Sequence, residues 1–568
     1  MVNNGRYIQN PVSIDLKRSR FNRDFGHKTT FNVGELVPFF VDEVLPGDTF
    51  DIKTSFVARL STLKVPVMDN LFIDFAYFFV PNRIVMDKWQ EVMGENRVSM
   101  WKPSVETFVP TVTYKTKDDD PDEYAEGLGS IGDYMGLSFH GVTDATNVPE
   151  DYEINVLPFR AYVTIYNEFY RSENVQDPIF CPTDATNRQI EAGTSLFNPT
   201  NAHLGWSPLL IANKIPDYFT SALPEPQKGP SVVIPVGLVA PVKTQLNIHS
   251  GSATWPGLMW NKASSLPAHK IILASTLVGG DPESTTTRIG NTNTLDPSIG
   301  EVAPANLVAD LSQATATSIN ELRNAFQLQR LYEKDARGGT RYVEIIKSHF
   351  GVTAPDAHLQ RPQFLGGSRK PIQISQVLAT AQNDTDDTAL ADTGAYSLTG
   401  GLPASFTKSF TEHGFVIGVC VVRYEHTYAK GLERFWFRKR RFDYYDPVFA
   451  NIGEQPVMKR EIDYRAGNTD VFGYQEAWAD YRYKPNRVSA EMKAAVSSGS
   501  LNFWHFADEY DTVPTLSESW LAEDKNNVDR ALAVTSKLSR QIIADIYVQN
   551  RCTRVMPLYS IPGLIDHN

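Results

Sequence analysis

Apolar and polar residues alternate through Thr49–Leu60 (TFDIKTSFVARL), with Phe50, Ile52, Phe56, Ala58 and Leu60 on one side. That period of two predicts a half-buried strand. The next stretch, LFIDFAYFFV (71–80), is apolar on both faces except for Asp74, and Pro81 closes it. Asn82 is then placed to cap a helix over RIVMDKWQEVM, with Val85, Trp89, Val92 and Met93 on one face and Gly94 as its stop. A second helix is expected over LPFRAYVTIYNEFYR, where Phe159, Tyr162, Val163, Tyr166, Phe169 and Tyr170 recur at helical spacing. The capping box Ser318-x-x-Glu321 opens a third, which ends at Gly338-Gly339. Thr340 is positioned to cap a fourth, with Val343, Ile346 and Phe350 inward and Gly351 as its stop. Strands return in GFVIGVCVVRYEHTY (414–428) and QIIADIYVQN (541–550).

Strands therefore occur from one end of the chain to the other, without the regular helix alternation of a parallel α/β fold. A mainly β protein built on one antiparallel sandwich with long insertions accommodates this pattern. Residues 181–310, rich in Pro, Gly, Asn and Thr, read as one such insertion, and loops of that length carry functions of their own. Residues 1–34 show no sustained period and read as an extended arm, leaving 35–568 as the main domain.

Composition adds a conflict. The formal net charge is −12, and a field of that sign repels phosphate. The charge is uneven, however. Within residues 1–30, Arg6, Lys17, Arg18, Arg20, Arg23 and Lys28 face only Asp15 and Asp24, so six minus two gives +4. Acids gather at 117–123 and 383–392. From Arg434 to Arg441, five cations (Arg434, Arg438, Lys439, Arg440, Arg441) and three rings (Phe435, Trp436, Phe437) share eight positions. Cations beside aromatic rings suit single-stranded nucleic acid, and the same residue types are enriched at protein interfaces. A third reading puts Phe435 and Trp436 in the core, with Arg438 to Arg441 solvated or paired to Asp443 and Asp446. All three remain open on the sequence.

Three widely spaced cysteines, Cys181, Cys420 and Cys552, suggest reduced thiols in a cytoplasm rather than a disulfide framework. The basic N-terminal stretch lacks the apolar run of a signal peptide, and Phe415–Val422 is too short to span a bilayer. No nucleophile elbow, Walker loop, HExxH or paired CxxC occurs, so no enzyme, metal or cofactor site is expected. Weaker candidates have plain alternatives. DARGGTRY (335–342) is either a phosphate cradle or a helix stop; His505, Asp508, Glu509 and Asp511 are either hard-cation ligands or an acidic turn; Asp74 is either a shifted acid or an arginine partner.

Several longer segments carry a likeness. SRFNRDFGHKTTFNVGELVPFFVDEVLPGDTF, LPFRAYVTIYNEFYR, LYEKDARGGTRYVEIIKSHFGV, RPQFLGG and FANIGEQPV, in this order from Ser19 towards MPLYSIPGLIDHN, resemble the major capsid proteins of microviruses of the gokushovirus type. The resemblance implies a viral jelly roll of eight antiparallel strands with long helix-containing and loop insertions. It implies pentamers and a T=1 shell of sixty copies around a circular single-stranded DNA genome, assembled in the bacterial cytoplasm. It further implies a protrusion at the threefold axes, for which 181–310 is the candidate, meeting a host surface receptor. Other virion proteins, such as a DNA-binding or pilot protein, would be partners. Basic groups would then face packaged DNA while acidic loops face outward. The rival class is a carbohydrate-binding or carbohydrate-active protein on the same scaffold.

Overall fold

A computed structural model describes residues 18–95, 107–115, 129–137, 151–190, 203–204, 206, 208–232, 242–244, 259–262, 270–271, 302–304, 307–309, 319–380, 391, 393–494 and 499–559. The strands of its two principal sheets are labelled β1 (Ser19–Asn22), β2 (Phe25–Phe31), β3 (Val37–Val44), β4 (Thr49–Leu60), β5 (Leu71–Pro81), β6 (Gln363–Pro371), β7 (Thr399–Gly401), β8 (Ser405–Ser409), β9 (Gly414–Tyr424) and β10 (Ile542–Arg554). In the first sheet β1 and β2 both pair with β10, β10 with β4, and β4 with β7 and β8. The second runs β6-β5-β9-β3. Every pairing in both is antiparallel.

The two sheets meet through the alternating apolar faces that the sequence marks. Phe56 of β4 lies 4.9 Å from Phe75 of β5, ring to ring. Tyr77 packs on Phe406 of β8 at 5.2 Å, and its hydroxyl shares a 2.6 Å hydrogen bond with Thr54. β9 is buried along its length except for Arg423, because the far side of its sheet is covered too. The cover is helix α3 (Leu157–Phe169), whose Phe169 meets Phe78 at 4.6 Å. Its expected apolar face is observed, with Phe159, Tyr162, Val163 and Tyr166 buried. Gly418 makes the close packing of β9 possible. A Cβ there would stand 2.7 Å from the Tyr77 ring and 2.9 Å from Phe39.

Four expectations need correction. The single helix over 83–93 is instead two short ones, α1 (Asn82–Val85) and α2 (Trp89–Val92), with Met86 extended between them. Val85 is buried as expected, and Met86 beside it is buried too, which the helical spacing does not anticipate. Asn82 lies inside α1 and does not cap it. Helix α4 (Ile319–Gly338) ends at the expected glycines, but α5 (Tyr342–Phe350) is capped by Arg341, not Thr340. The Thr340 hydroxyl is engaged elsewhere, donating to Asn174 and accepting from Lys228. Residues 19–31, read as arm, are the edge strands β1 and β2, held by register pairs from Ser19↔Arg554 to Phe31↔Ile542. Finally, Ile190, Leu204, Trp206, Leu210 and Ala212 belong to the main core, so the separate part is narrower than 181–310.

The chain divides into two compact units, one of residues 1–228 and 333–568 and a second of residues 229–332. The second holds a two-stranded pairing of Val242–Thr244 with Leu307–Ala309 and a three-stranded sheet centred on Met259–Lys262.

Gly34, between β2 and β3, has φ +84°, and a Cβ there would lie 2.8 Å from Cβ of Glu523. Gly34→Ala is expected to cost at least about 1–3 kcal/mol from the left-handed backbone alone. A urea midpoint unchanged from the parent protein would refute this.

Candidate nucleic-acid interface

Two groups of cations were singled out by sequence, and the fold treats them differently. Arg6 and Lys17 lie outside the described residues. Along β1 and β2, three cations have acidic partners from other strands. Arg20 is 3.7 Å from Asp51, and Lys28 is 3.5 Å from Asp545; in both pairs the cation is largely open to solvent. Arg23 is bound more firmly, at 2.5 Å from the shielded carboxylate of Asp42. Arg18 is exposed. The charge of +4 counted along residues 1–30 is therefore partly balanced in space by acids at 42, 51 and 545. Such exposed pairs are weak and screened by salt, so Arg20 and Lys28 stay exchangeable while Arg23 serves to fasten the strand.

The 434–441 segment is a run of short 3₁₀ turns, Arg434–Phe437 and Arg441–Asp443, within the long connection between β9 and β10. Arg434 turns inward, donating at 2.8 Å to the carbonyl of Pro456 and lying 3.5 Å from Glu461. Burial pushes the Glu461 carboxyl up to about 7, with Arg434 opposing the rise. Arg438 is almost wholly covered, paired with Asp480 and 4.1 Å above the ring of Tyr481. Lys439, Arg440 and Arg441 are exposed. Asp443 does not pair with their side chains. Its carboxylate accepts the backbone N–H groups of Lys439 and Arg440, both at 2.8 Å, and these bonds hold its pKa below the usual range. Asp446 likewise accepts the backbone N–H of Val448.

The rings follow the cations outward. Trp436 is 66% exposed and Phe442 70%, and Phe435, Tyr444 and Tyr445 are exposed too. The reading that put Phe435 and Trp436 in the core is thus overturned: a 3₁₀ segment with so few residues per turn cannot turn all its rings inward. The result is an open strip in which three consecutive exposed cations are flanked by exposed aromatic rings.

The remaining candidates resolve into structure. Gly338 ends α4 and Arg341 starts α5, whose first turn is occupied by Glu344 and by Glu173, 2.7 Å from Arg341; a phosphate has no place there. Asp74 is held by Arg369 at 2.6 Å and Arg423 at 2.5 Å. Burial alone would raise its pKa, but the two guanidiniums bring it below the ordinary value. The carboxylates of 505–511 diverge. Glu509 accepts the backbone N–H of Ala494, while Asp508 points into the protein.

Asp508 belongs to a cluster that no local pattern announces. Nδ1 of His426 is 2.7 Å from Asp508 and Nε2 is 3.0 Å from Glu523, and all three side chains are fully buried. Asn527 donates to the other Asp508 oxygen at 2.6 Å. Burial alone would lower the pKa of His426, but the two carboxylates raise it to about 9. Only the isolated histidine of YEH (424–426) could have hinted at this, and its partners lie about a hundred residues away.

Compared with known proteins, residues 11–564 match the family described as "Capsid protein (F protein)". The chain belongs to this capsid family. It is 37% identical over 607 residues to the capsid protein VP1 of Chlamydia phage 1, covering 99% of this chain and 98% of that protein. It is 37% identical to the VP1 of Bdellovibrio phage phiMH2K, with 97% and 96% covered. With the VP1 of Spiroplasma virus 4 the identity is 39%, with 95% and 94% covered. This capsid protein is thus a structural virion component of the gokushovirus type, as the sequence motifs imply, and the carbohydrate-directed alternative falls away. Self-assembly into a shell gives the exposed strip a setting in which many copies act together.

Proposed function

We propose that this capsid protein is a non-enzymatic subunit that assembles through pentamers into a sixty-copy T=1 shell around circular single-stranded DNA in the host cytoplasm. The eight-stranded jelly roll is its framework. That reading is supported by the two sheet orders: β2, β10, β4 and β7/β8 in one, and β3, β9, β5 and β6 in the other. The separate unit at residues 229–332, which overlaps the expected 181–310 insertion and extends beyond it, is the candidate for the outer protrusion and its host receptor. The basic N-terminal stretch, whose residues 19–31 form β1 and β2, directs Arg6, Lys17, Arg18, Arg20 and Lys28 to DNA. Other virion proteins complete the particle.

The observation that carries the DNA role is the exposed run Lys439, Arg440 and Arg441 among open rings. Replacing these three by Gln, while leaving Arg438 on Asp480, is expected to give particles that form normally and hold less DNA. Each phosphate of a single strand that is no longer neutralised lowers the slope of log affinity against log salt by about 0.7, so the slope should fall by about 2. Failure of shells to form without DNA present would make the strip a subunit interface instead.

A further inference from the structure

The two principal sheets differ on their outer sides. β9 is covered on both faces, whereas β10 alternates buried and exposed residues through its central length. The side of the β2-β10-β4-β7/β8 sheet away from the core is therefore open. We infer that this open sheet face is a binding surface for single-stranded nucleic acid, built from Lys53, Arg59, Arg551 and Tyr547. The inference rests on the proposed packaging role and gives it a second site, separate in sequence from the 438–441 strip.

The open face carries an excess of positive charge. Register places Lys53 opposite Gln549, Arg59 opposite Ile543 and Arg551 opposite Asp51, all on the exposed parity of their strands. Arg20 and Lys28 share that side. Five cations thus face two acids, Asp51 and Asp545, in a protein whose total charge is −12. The two acids are already matched by Arg20 and Lys28. Lys53, Arg59 and Arg551 have no acidic partner among the described residues. Six residues of strand separate Lys53 from Arg59, roughly 20 Å at the usual rise, so the cations are spread along a track.

The same face leaves one aromatic ring uncovered. Tyr547 is 43% exposed, and its cross-strand neighbours are Gly26 on β2 and Ser55 on β4. Flanking residues this small leave the faces of the ring free, and a base stacks on such a face with little sequence preference. One step along the sheet, Lys28, Thr30, Val57, Arg59 and Ile543 line a depression of about 460 Å³. Its floor is apolar and its rim carries the Lys28–Asp545 pair and Arg59, whose unmatched charge suits a base with its phosphate. A second protein fits less well, because the apolar residues here are broken up by charges, which the core of a protein interface lacks.

The test uses the full-length capsid protein and a fluorescein-labelled oligo-dT probe. Changing Lys53, Arg59 and Arg551 together to Gln is expected to lower the salt slope of binding by about 2. Tyr547→Ala is expected to weaken binding about tenfold at fixed salt. Lys53→Arg should keep the parent slope. Circular dichroism of each variant checks that the sheet is intact; a variant that fails this check is replaced by single Gln changes, each expected to lower the slope by about 0.7. An unchanged slope in the sheet variants, with the 439–441 variant still reduced, would overturn the sheet site and leave packaging standing. An unchanged slope with shells that no longer form would make the face an interface between copies. A parent protein that does not bind the probe would overturn both.

Discussion

Asp508→Ala is expected to destabilise the capsid protein by about 3–5 kcal/mol, measured by urea denaturation of unassembled protein. Removing one partner from a buried charged group leaves the other uncompensated, and that penalty exceeds what the intact pair contributes. Here the substitution removes the carboxylate 2.7 Å from a fully buried imidazolium, leaving His426 with Glu523 alone and Asn527 without its carboxylate acceptor. The cluster also sets a pH dependence. The folded protein holds His426 protonated up to about 9, against 6.5 for the free side chain. A histidine raised on folding contributes stability that is complete below 6.5 and is lost as pH climbs through the folded value. The linkage is worth on the order of 3 kcal/mol at 1.36 kcal/mol per pH unit. Melting temperature should therefore fall between pH 7 and 10, and His426→Gln should flatten that part of the profile. A parent profile that is level over this range would show that the imidazole is neutral in the fold.

Phe75→Ala should be of similar severity, about 3–5 kcal/mol. Phe75 is 2% exposed and sits where the sheets meet, 5.5 Å from Phe39 and 4.9 Å from Phe56. Phe39 and Phe75 come from one sheet and Phe56 from the other, so the cavity would open at the seam and leave the rings on both sides of it underpacked. Phe75→Leu retains most of the volume and should cost clearly less. Equal losses for the two substitutions would place the energy in the ring geometry rather than in filling the seam.

What could be read from the sequence was local. The period of two in β4, the doubly apolar β5 and β9, and the α3 face each rest on neighbours a few residues apart, and each is observed. Helix stops at Gly338 and Gly351 were legible for the same reason. Pairing was not. β1 and β2 look unpatterned because edge strands need little burial, and their partner lies in 542–554. The same distance hid the acids that balance Arg20, Arg23 and Lys28, so counting charges along the chain overstated the basicity of the arm. The 438–441 strip was visible as composition, but only the fold separates inward Arg438 from the exposed Lys439, Arg440 and Arg441. His426, Asp508 and Glu523 converge from three places with no spacing rule to connect them.

The position of β10 bears on how the protein is made. It lies between β2 and β4, and Val33 bonds to Gln541 across a separation of 508 residues. At typical elongation rates of about 5–20 residues per second, the ribosome presents β2 and β4 roughly half a minute or more before their common neighbour emerges. Until then the long strand β4 has an open edge, a template for wrong pairing with other nascent chains. Closure of the sheet is thus late and non-local, the slow class of folding event. A chain interrupted before residue 542 cannot complete the sandwich, so any selection for finished sheets during assembly excludes truncated copies from the shell.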